Sequence, residues 1–349
     1  MQSNSNVLFK SSMITLTVMI LGMVVIGGIT RLTGSGLSIV EWKPIVGMIP
    51  PLSTESWMQE FAKYQQSPEF LKINFGMTLT DFQSIFWLEY IHRLWGRLLG
   101  IVLLVPTFLV LFKRQHRNLL PMLIILWTLG ALQGLMGWLM VKSGLKVDPH
   151  VSPYRLAVHL LLGFATFGFA LWMTLSVYKN NFKISSHASF PALNRLIYLG
   201  IILLLCTAFF GALVAGLKAG LVYNTFPYMG ESLIPRELLT LSPWWLDLLE
   251  NPVSVQFIHR IFAVVTTLVC AGLFLYQRTL NLPNPIHYLC IGIFLAALFQ
   301  VFLGIVTLLL LVPIGIAVLH QCFAFILFGI LITTLFVLQP YHPRVIASP

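Results

Sequence analysis

The sequence predicts an all-α integral membrane protein with eight transmembrane helices, set out as two tandem four-helix bundles related by internal duplication. Three observations predict it. The 349 residues are 58% hydrophobic and only 9% charged, with a mean hydropathy of +0.88, whereas a water-soluble domain carries about 25% charged residues. Apolar runs long enough to cross the hydrocarbon layer as helices fall near residues 12–30, 86–112, 119–141, 154–178, 195–217, 253–276, 286–311 and 313–338. The motifs of the first four runs return in order in the last four. The strict period-two alternation of an outer-membrane barrel is absent.

The elements follow in order. Span one leads into Gly34-Ser35-Gly36-Leu37 and a long outward loop, roughly 32–80. In that loop Trp57, Phe61 and Tyr64 recur at helical spacing before Pro68, which reads as a short amphipathic helix lying on the outer surface. Thr80 followed by Gln83 matches a capping box, so span two begins near Asp81, a few turns outside the bilayer. It carries Glu89-Tyr90-Ile91-His92-Arg93; span three carries Leu132-Gln133 and Gly137; span four carries Ala157-Val158-His159. After the polar stretch 179–194, span five leads into Lys218-Ala219-Gly220-Leu221 and a second outward loop, 218–251. Span six carries Gln256-Phe257-Ile258-His259-Arg260, span seven Phe299-Gln300 and Gly304, and span eight Ala317-Val318-Leu319-His320. The halves divide as 1–184 and 185–349. Four spans per half give both the same orientation, as parallel repeats.

The net charge of +10 does not point to nucleic acid. Lys10, then Lys113, Arg114 and Arg117, then Lys179, Lys183 and Arg195, then Arg278 and Arg344 mark alternate span ends. Cytoplasmic loops collect such residues, which puts both termini inside. Cys206, Cys270, Cys290 and Cys322 fall within spans, so no outward loop disulfide is available. The first dozen residues lack a transit-peptide pattern, and the expected location is a bacterial cytoplasmic (inner) membrane.

Four histidines carry the chemistry. His159, His259 and His320 follow Pro153, Pro252 and Pro313 by six or seven residues, about 9–10 Å along a helix. His92 joins them once its helix is taken to begin outside the membrane. All four then share one depth in the outer third. Ionisable residues inside spans are costly and mark function, and a four-helix bundle is a natural cofactor holder. Two imidazoles facing one another from different helices are the axial ligands of a six-coordinate haem, so His92 with His159, and His259 with His320, are read as metal ligands; any one alone would equally suit a buried histidine hydrogen-bonded to a neighbouring helix. Gly96, Gly100, Gly163, Ala263 and Ala324, one turn or two below, would leave a flat groove; close helix packing explains them equally well. Arg93 and Arg260 suit carboxylate recognition and thus haem propionates; interfacial anchoring is the other reading. Glu89 stands three residues before His92, where the second half has Gln256. A carboxylate can exchange protons or stabilise positive charge and an amide cannot, which reads the first half as the reactive one; orienting His92 or pairing with Arg93 is the other reading of Glu89. There is no Walker P-loop, Cys-x-x-Cys-His or HExxH.

Gly27-Gly28-Ile29-Thr30-Arg31-Leu32-Thr33-Gly34-Ser35-Gly36, then Glu41-Trp42-Lys43-Pro44 with Gly47 and Pro50-Pro51, together with the four histidine motifs, make the chain resemble heme A synthase over nearly its whole length. The absence of loop cysteine pairs resembles the alphaproteobacterial and mitochondrial branch. The resemblance implies oxidation of the C8 methyl of heme O to a formyl group, with oxygen from water, for terminal cytochrome oxidase. It implies Glu89, His92 and His159 at the substrate, and a resident heme b on His259 and His320. The electron partner, a protein or a quinone, is not named by any residue. Complexes with heme O synthase or cytochrome oxidase assembly proteins, and a homo-oligomer, stay open. The residues alone fit two other classes as well: a di-haem cytochrome b-type electron carrier or quinol oxidoreductase, and a non-catalytic haem carrier or assembly factor.

Overall fold

The structure is a computed structural model that describes residues 2–43, 46–146, 149–178 and 190–339. The expected division at 184/185, with Lys179, Lys183, Pro44 and Arg344, lies outside the described residues.

Among the described residues eight helices are long and apolar enough to cross a membrane: α1 (Gln2–Leu32), α4 (Leu79–Phe112), α5 (Leu120–Gly144), α6 (Pro153–Tyr178), α7 (Pro191–Gly216), α9 (Pro252–Gln277), α10 (Asn284–Leu309) and α11 (Ile314–Leu338). Among the described residues three short helices lie in the loops after α1 and α7: α2 (Thr54–Tyr64), α3 (Pro68–Lys72) and α8 (Trp244–Glu250). Among the described residues there is no strand. This is the expected all-α, multi-pass membrane protein. Prolines open α5, α6, α7, α9 and α10 within their first turn, where the missing N–H is not needed. Pro313 instead occupies the cap position before α11.

Two local expectations shift. The capping box before α4 is formed by Thr78 and Asp81, each side chain accepting from the other's backbone N–H. It lies two residues before the Thr80–Gln83 pattern, because the carboxylate of Asp81 reaches back to the cap. The Trp57–Phe61–Tyr64 helix is present as α2, capped by Ser53, and Pro68 opens α3 rather than only ending α2. Its aromatic face packs on the first turns of α4: Trp57 meets Phe86 edge-on at 4.9 Å, and Tyr64, fully buried, meets Phe82 at 5.1 Å. Because α4 begins at Leu79, well before His92, it offers aromatic surface to that face of α2.

The helices pack as two rings. In the first, α1 meets α4, α4 meets α5, α5 meets α6 and α6 returns to α1. In the second, α7 meets α9, α9 meets α10, α10 meets α11 and α11 returns to α7. The rings join through α6 and α11, α6 and α7, and α1 and α11. At the α6–α11 seam Phe164 and Phe325 stack with centroids 3.8 Å apart and planes at 12°. The contacts around them are reciprocal: Phe164 meets Phe328 at 5.2 Å and Phe167 meets Phe325 at 5.8 Å, while Gly168 lies against Phe328 and Gly329 against Phe167. Exchanging the two helices maps this set onto itself, as a two-fold axis requires. Outward-facing Phe108, Ile124, Leu268, Leu275, Leu295 and Phe302 present the apolar surface that lipid covers.

Candidate haem sites

His92 is on α4 and His159 on α6, so both belong to the first ring; His259 on α9 and His320 on α11 belong to the second. His92 and His159 lie within electrostatic reach of each other, and so do His259 and His320. All four are half-buried. Among the described residues no three His, Cys, Asp or Glu side chains converge as a bare metal ion would need.

Each imidazole sits against a glycine of a neighbouring helix. A Cβ built on Gly304 would stand 2.9 Å from His320 Cε1, and one on Gly211 3.0 Å from His259 Cε1. One on Gly27 would stand 3.2 Å from His92 Nε2, and one on Gly137 3.7 Å from His159 Cε1. The small residues that matter therefore face the rings across the bundle. Of those expected one turn or two below, Gly163 abuts Gln133 and Phe325, Gly96 abuts Met23, and Gly100 has no atom within 4 Å of its Cβ position. The recurrence of Gly137 and Gly304 is visible in the sequence. Gly27 and Gly211 were missed as histidine neighbours, although both stand at one register before the repeated Gly36 and Gly220.

The ring nitrogens fit ligand duty. His259 Nδ1 donates to the Thr207 carbonyl at 2.9 Å, since a carbonyl can only accept. That bond fixes the tautomer and leaves Nε2 for a metal. His159 and His320 share a second arrangement. Gln133 Nε2 donates to His159 O at 3.3 Å and Gln300 Nε2 to His320 O at 2.9 Å. In both cases the histidine Nδ1 and the amide Oε1 are buried without a partner. Such orphans call for an explanation. Paired imidazoles, orphaned polar atoms and glycine walls together fit a planar iron porphyrin in each ring.

One turn before His92 and His259, α4 and α9 hold the loops. Glu89, 2% exposed, accepts from Ser38 Oγ at 2.7 Å and Ile39 N at 2.8 Å. Arg93 donates to it at 2.6 and 3.0 Å. Arg93 also donates to Ile39 O at 2.8 Å and Glu41 O at 3.0 Å, and its guanidinium lies over Trp42. Further along that face Tyr90 donates to Met48 O at 2.6 Å and Arg97 to Lys43 O at 2.9 Å. The loop motif around Glu41 and Trp42 is thus strapped over the end of α4 that carries His92. In the second ring Gln256 donates to Tyr223 O at 3.0 Å, and Arg260 to Thr225, Tyr223 and Tyr228 carbonyls at 3.0–3.3 Å, with its buried Nε unpartnered.

The start of α9 is anchored by Asp247, fully buried. It accepts from Ser254, from Asn251 at 2.9 Å and from the N–H groups of Leu239 at 3.0 Å and Leu241 at 2.9 Å. Burial opposes the charge, but these four donors outweigh it and hold the carboxyl at about 2. Glu69 in α3 is the opposite case: burial pushes it up to about 7 against a 3.0 Å hydrogen bond from Tyr64.

The cytochrome oxidase assembly protein family COX15-CtaA matches residues 11–332. A protein named heme A synthase from Paramagnetospirillum magneticum is 46% identical over 308 residues, 87% of this chain and 86% of its own length. One of the same name from Rickettsia felis is 45% identical over 332 residues, covering 92% and 95%. Another from Nitrosospira multiformis is 42% identical over 311 residues, covering 89% and 87%.

Proposed function

The chain belongs to the COX15-CtaA family of cytochrome oxidase assembly proteins, and on that premise we propose that it is an oxidoreductase that converts heme O to heme A. The reaction oxidises the C8 methyl group to a formyl group, taking its oxygen from water. The observation that carries this reading is the paired set of imidazoles, one pair per ring, each ring face walled by glycine.

In this reading His92 and His159 hold the substrate, and His259 and His320 hold a resident heme b. When bound, that heme b supplies one-electron redox chemistry. The protein's own residues orient and exclude. Thr207 fixes the His259 tautomer. Glu89 handles protons or positive charge beside the substrate, its carboxylate oriented by Ser38, Ile39 and Arg93. Arg93 and Arg260 lock the loops that cover the two sites, and the buried Nε of Arg260 remains for a carboxylate of the resident group. The halves 1–184 and 185–349 derive from one duplicated unit; the matching ring order and the reciprocal α6–α11 contacts support this. The chain sits in a bacterial cytoplasmic membrane with both termini inside and both sites toward the outer face, which the alternation of basic span ends supports.

An electron carrier or a haem carrier would use both rings alike. Glu89 against Gln256, and the name the relatives carry, favour the enzyme. Expression with a heme O source, followed by chromatography of extracted haems, tests it. Heme A or its hydroxylated precursor is expected. Folded, haem-loaded protein that yields neither would sink the proposal. Glu89→Gln should retain heme b and lose conversion.

A further inference from the structure

Arg93 is committed to Glu89 and to the loop, so the negative groups of a porphyrin in the first ring must be met by other cations. Two stand one helical turn outward of the histidine pair. Arg31 follows Gly27, the residue against His92, by four positions on α1. Arg155 precedes His159 by four positions on α6, which runs the opposite way. Residues four apart share a helix face, so both project from the faces that wall the site, on its outward side.

Arg31 Nη2 donates to Ala215 O, and the adjacent Gly216 packs on Pro153, which brings this guanidinium to the start of α6, close in sequence to Arg155. Arg155 Nη1 donates to Leu139 O at 2.5 Å. Both are partly buried. Among the described residues neither meets a carboxylate; the ion pairs are those of Glu41, Glu60 and Glu89 with Lys43, Lys63 and Arg93. A guanidinium carries five donors, and a buried charge is ordinarily paired. At the matching registers of the second ring stand Ala215 and Ile316, which carry no charge.

Resting on the heme O reading above, we infer that Arg31 and Arg155 form the subsite for the two propionate carboxylates of the substrate porphyrin. They orient it edge-on, carboxylates outward, and the second ring has no equivalent pair.

The test uses the full-length protein carrying its resident haem, titrated with heme b and with heme b dimethyl ester, whose carboxylates are masked. Wild type should prefer the free acid. Arg31→Gln and Arg155→Gln should each weaken the free acid at least about tenfold, the weight of a charge-assisted hydrogen bond, and leave the ester unchanged. Equal weakening of both ligands, or of neither, would overturn the assignment. Should a glutamine variant lose the resident-haem spectrum, Arg31→Lys and Arg155→Lys take its place: each keeps the charge without the fork, and partial loss confined to the free acid is expected. His92→Ala separates the two levels. If heme b binding ignores His92→Ala, the substrate-site reading falls; if binding needs His92 but the arginine variants do not discriminate acid from ester, only the arginine subsite falls.

Discussion

If His320 ligates a resident haem as proposed, replacing Gly304 by alanine should remove that haem while leaving the protein folded. The new Cβ would stand 2.9 Å from His320 Cε1, about 0.6 Å inside the ~3.5 Å at which carbon atoms rest in contact. Inserting a methyl into packed surroundings costs about 1–3 kcal/mol unless the ring moves. The ring can move, because its Nδ1 makes no close hydrogen bond and only a weak one toward the Gln300 backbone; a metal ligand tolerates only about 0.2 Å. A shift several times that tolerance breaks ligation before it breaks the helix. Gly211→Ala, at 3.0 Å from His259 Cε1, should behave less cleanly. There the imidazole is tied to Thr207, so the strain goes into the α7–α9 packing and lowers the melting temperature. Gly27→Ala at 3.2 Å should be milder, and Gly137→Ala, at an ordinary 3.7 Å, close to neutral. The assay is haem content and low-spin optical spectrum of purified protein, with a thermal melt as the fold control. A Gly304→Ala protein with wild-type haem content and spectrum, or a Gly137→Ala protein as damaged as Gly304→Ala, would refute the reasoning.

Four further outcomes follow from local structure. Phe164→Ala should cost about 3–5 kcal/mol by opening the α6–α11 seam, and Phe325→Ala should cost the same because the contacts are reciprocal; a large difference in melting temperature between them would contradict that. Asp247→Asn should expose the Leu239 and Leu241 amides to faster hydrogen exchange, since the carboxylate that accepts from them is replaced by a group with fewer acceptors; wild-type protection would argue against it. In the intact protein the depressed carboxyl of Asp247, at about 2, contributes stability that is present above the ordinary aspartate value near 4 and is lost as pH falls toward 2. Glu69 has the reverse sign: its raised value, about 7, makes the α2–α3 cap on α4 most stable below the ordinary carboxyl range and progressively less so as pH rises toward 7. Glu69→Gln should flatten that dependence in a pH series of thermal melts, and an unchanged slope would remove Glu69 as its source.

The helix inventory was legible because lipid imposes it. A span needs about twenty apolar residues, and the eight runs and the prolines that open most of them are written in the chain. The shared register of His159, His259 and His320 was legible for the same reason, since a helix converts residue count into depth. The capping box of α4 was misplaced by two residues because both Thr78–Asp81 and Thr80–Gln83 satisfy the pattern, and only backbone position chooses between them. The helix α2 was legible, but what covers its aromatic face was not, because an amphipathic pattern does not name its partner; the first turns of α4 supply Phe82 and Phe86.

By itself the sequence determined the class of the protein, the number and order of its spans, the four histidines and the difference between Glu89 and Gln256. Those are local or periodic facts, and burial in a membrane makes them expensive to violate. Only the tertiary structure decided which atoms share a site. Gly27 reaches His92, Gly211 reaches His259, Arg31 reaches Ala215 and Phe164 stacks on Phe325 across separations that no helical period encodes. The same packing turned Arg93 from a free cation into the strap between Glu89 and the first loop. Contacts between helices depend on how two faces rotate toward each other, and that rotation is fixed by the packed whole.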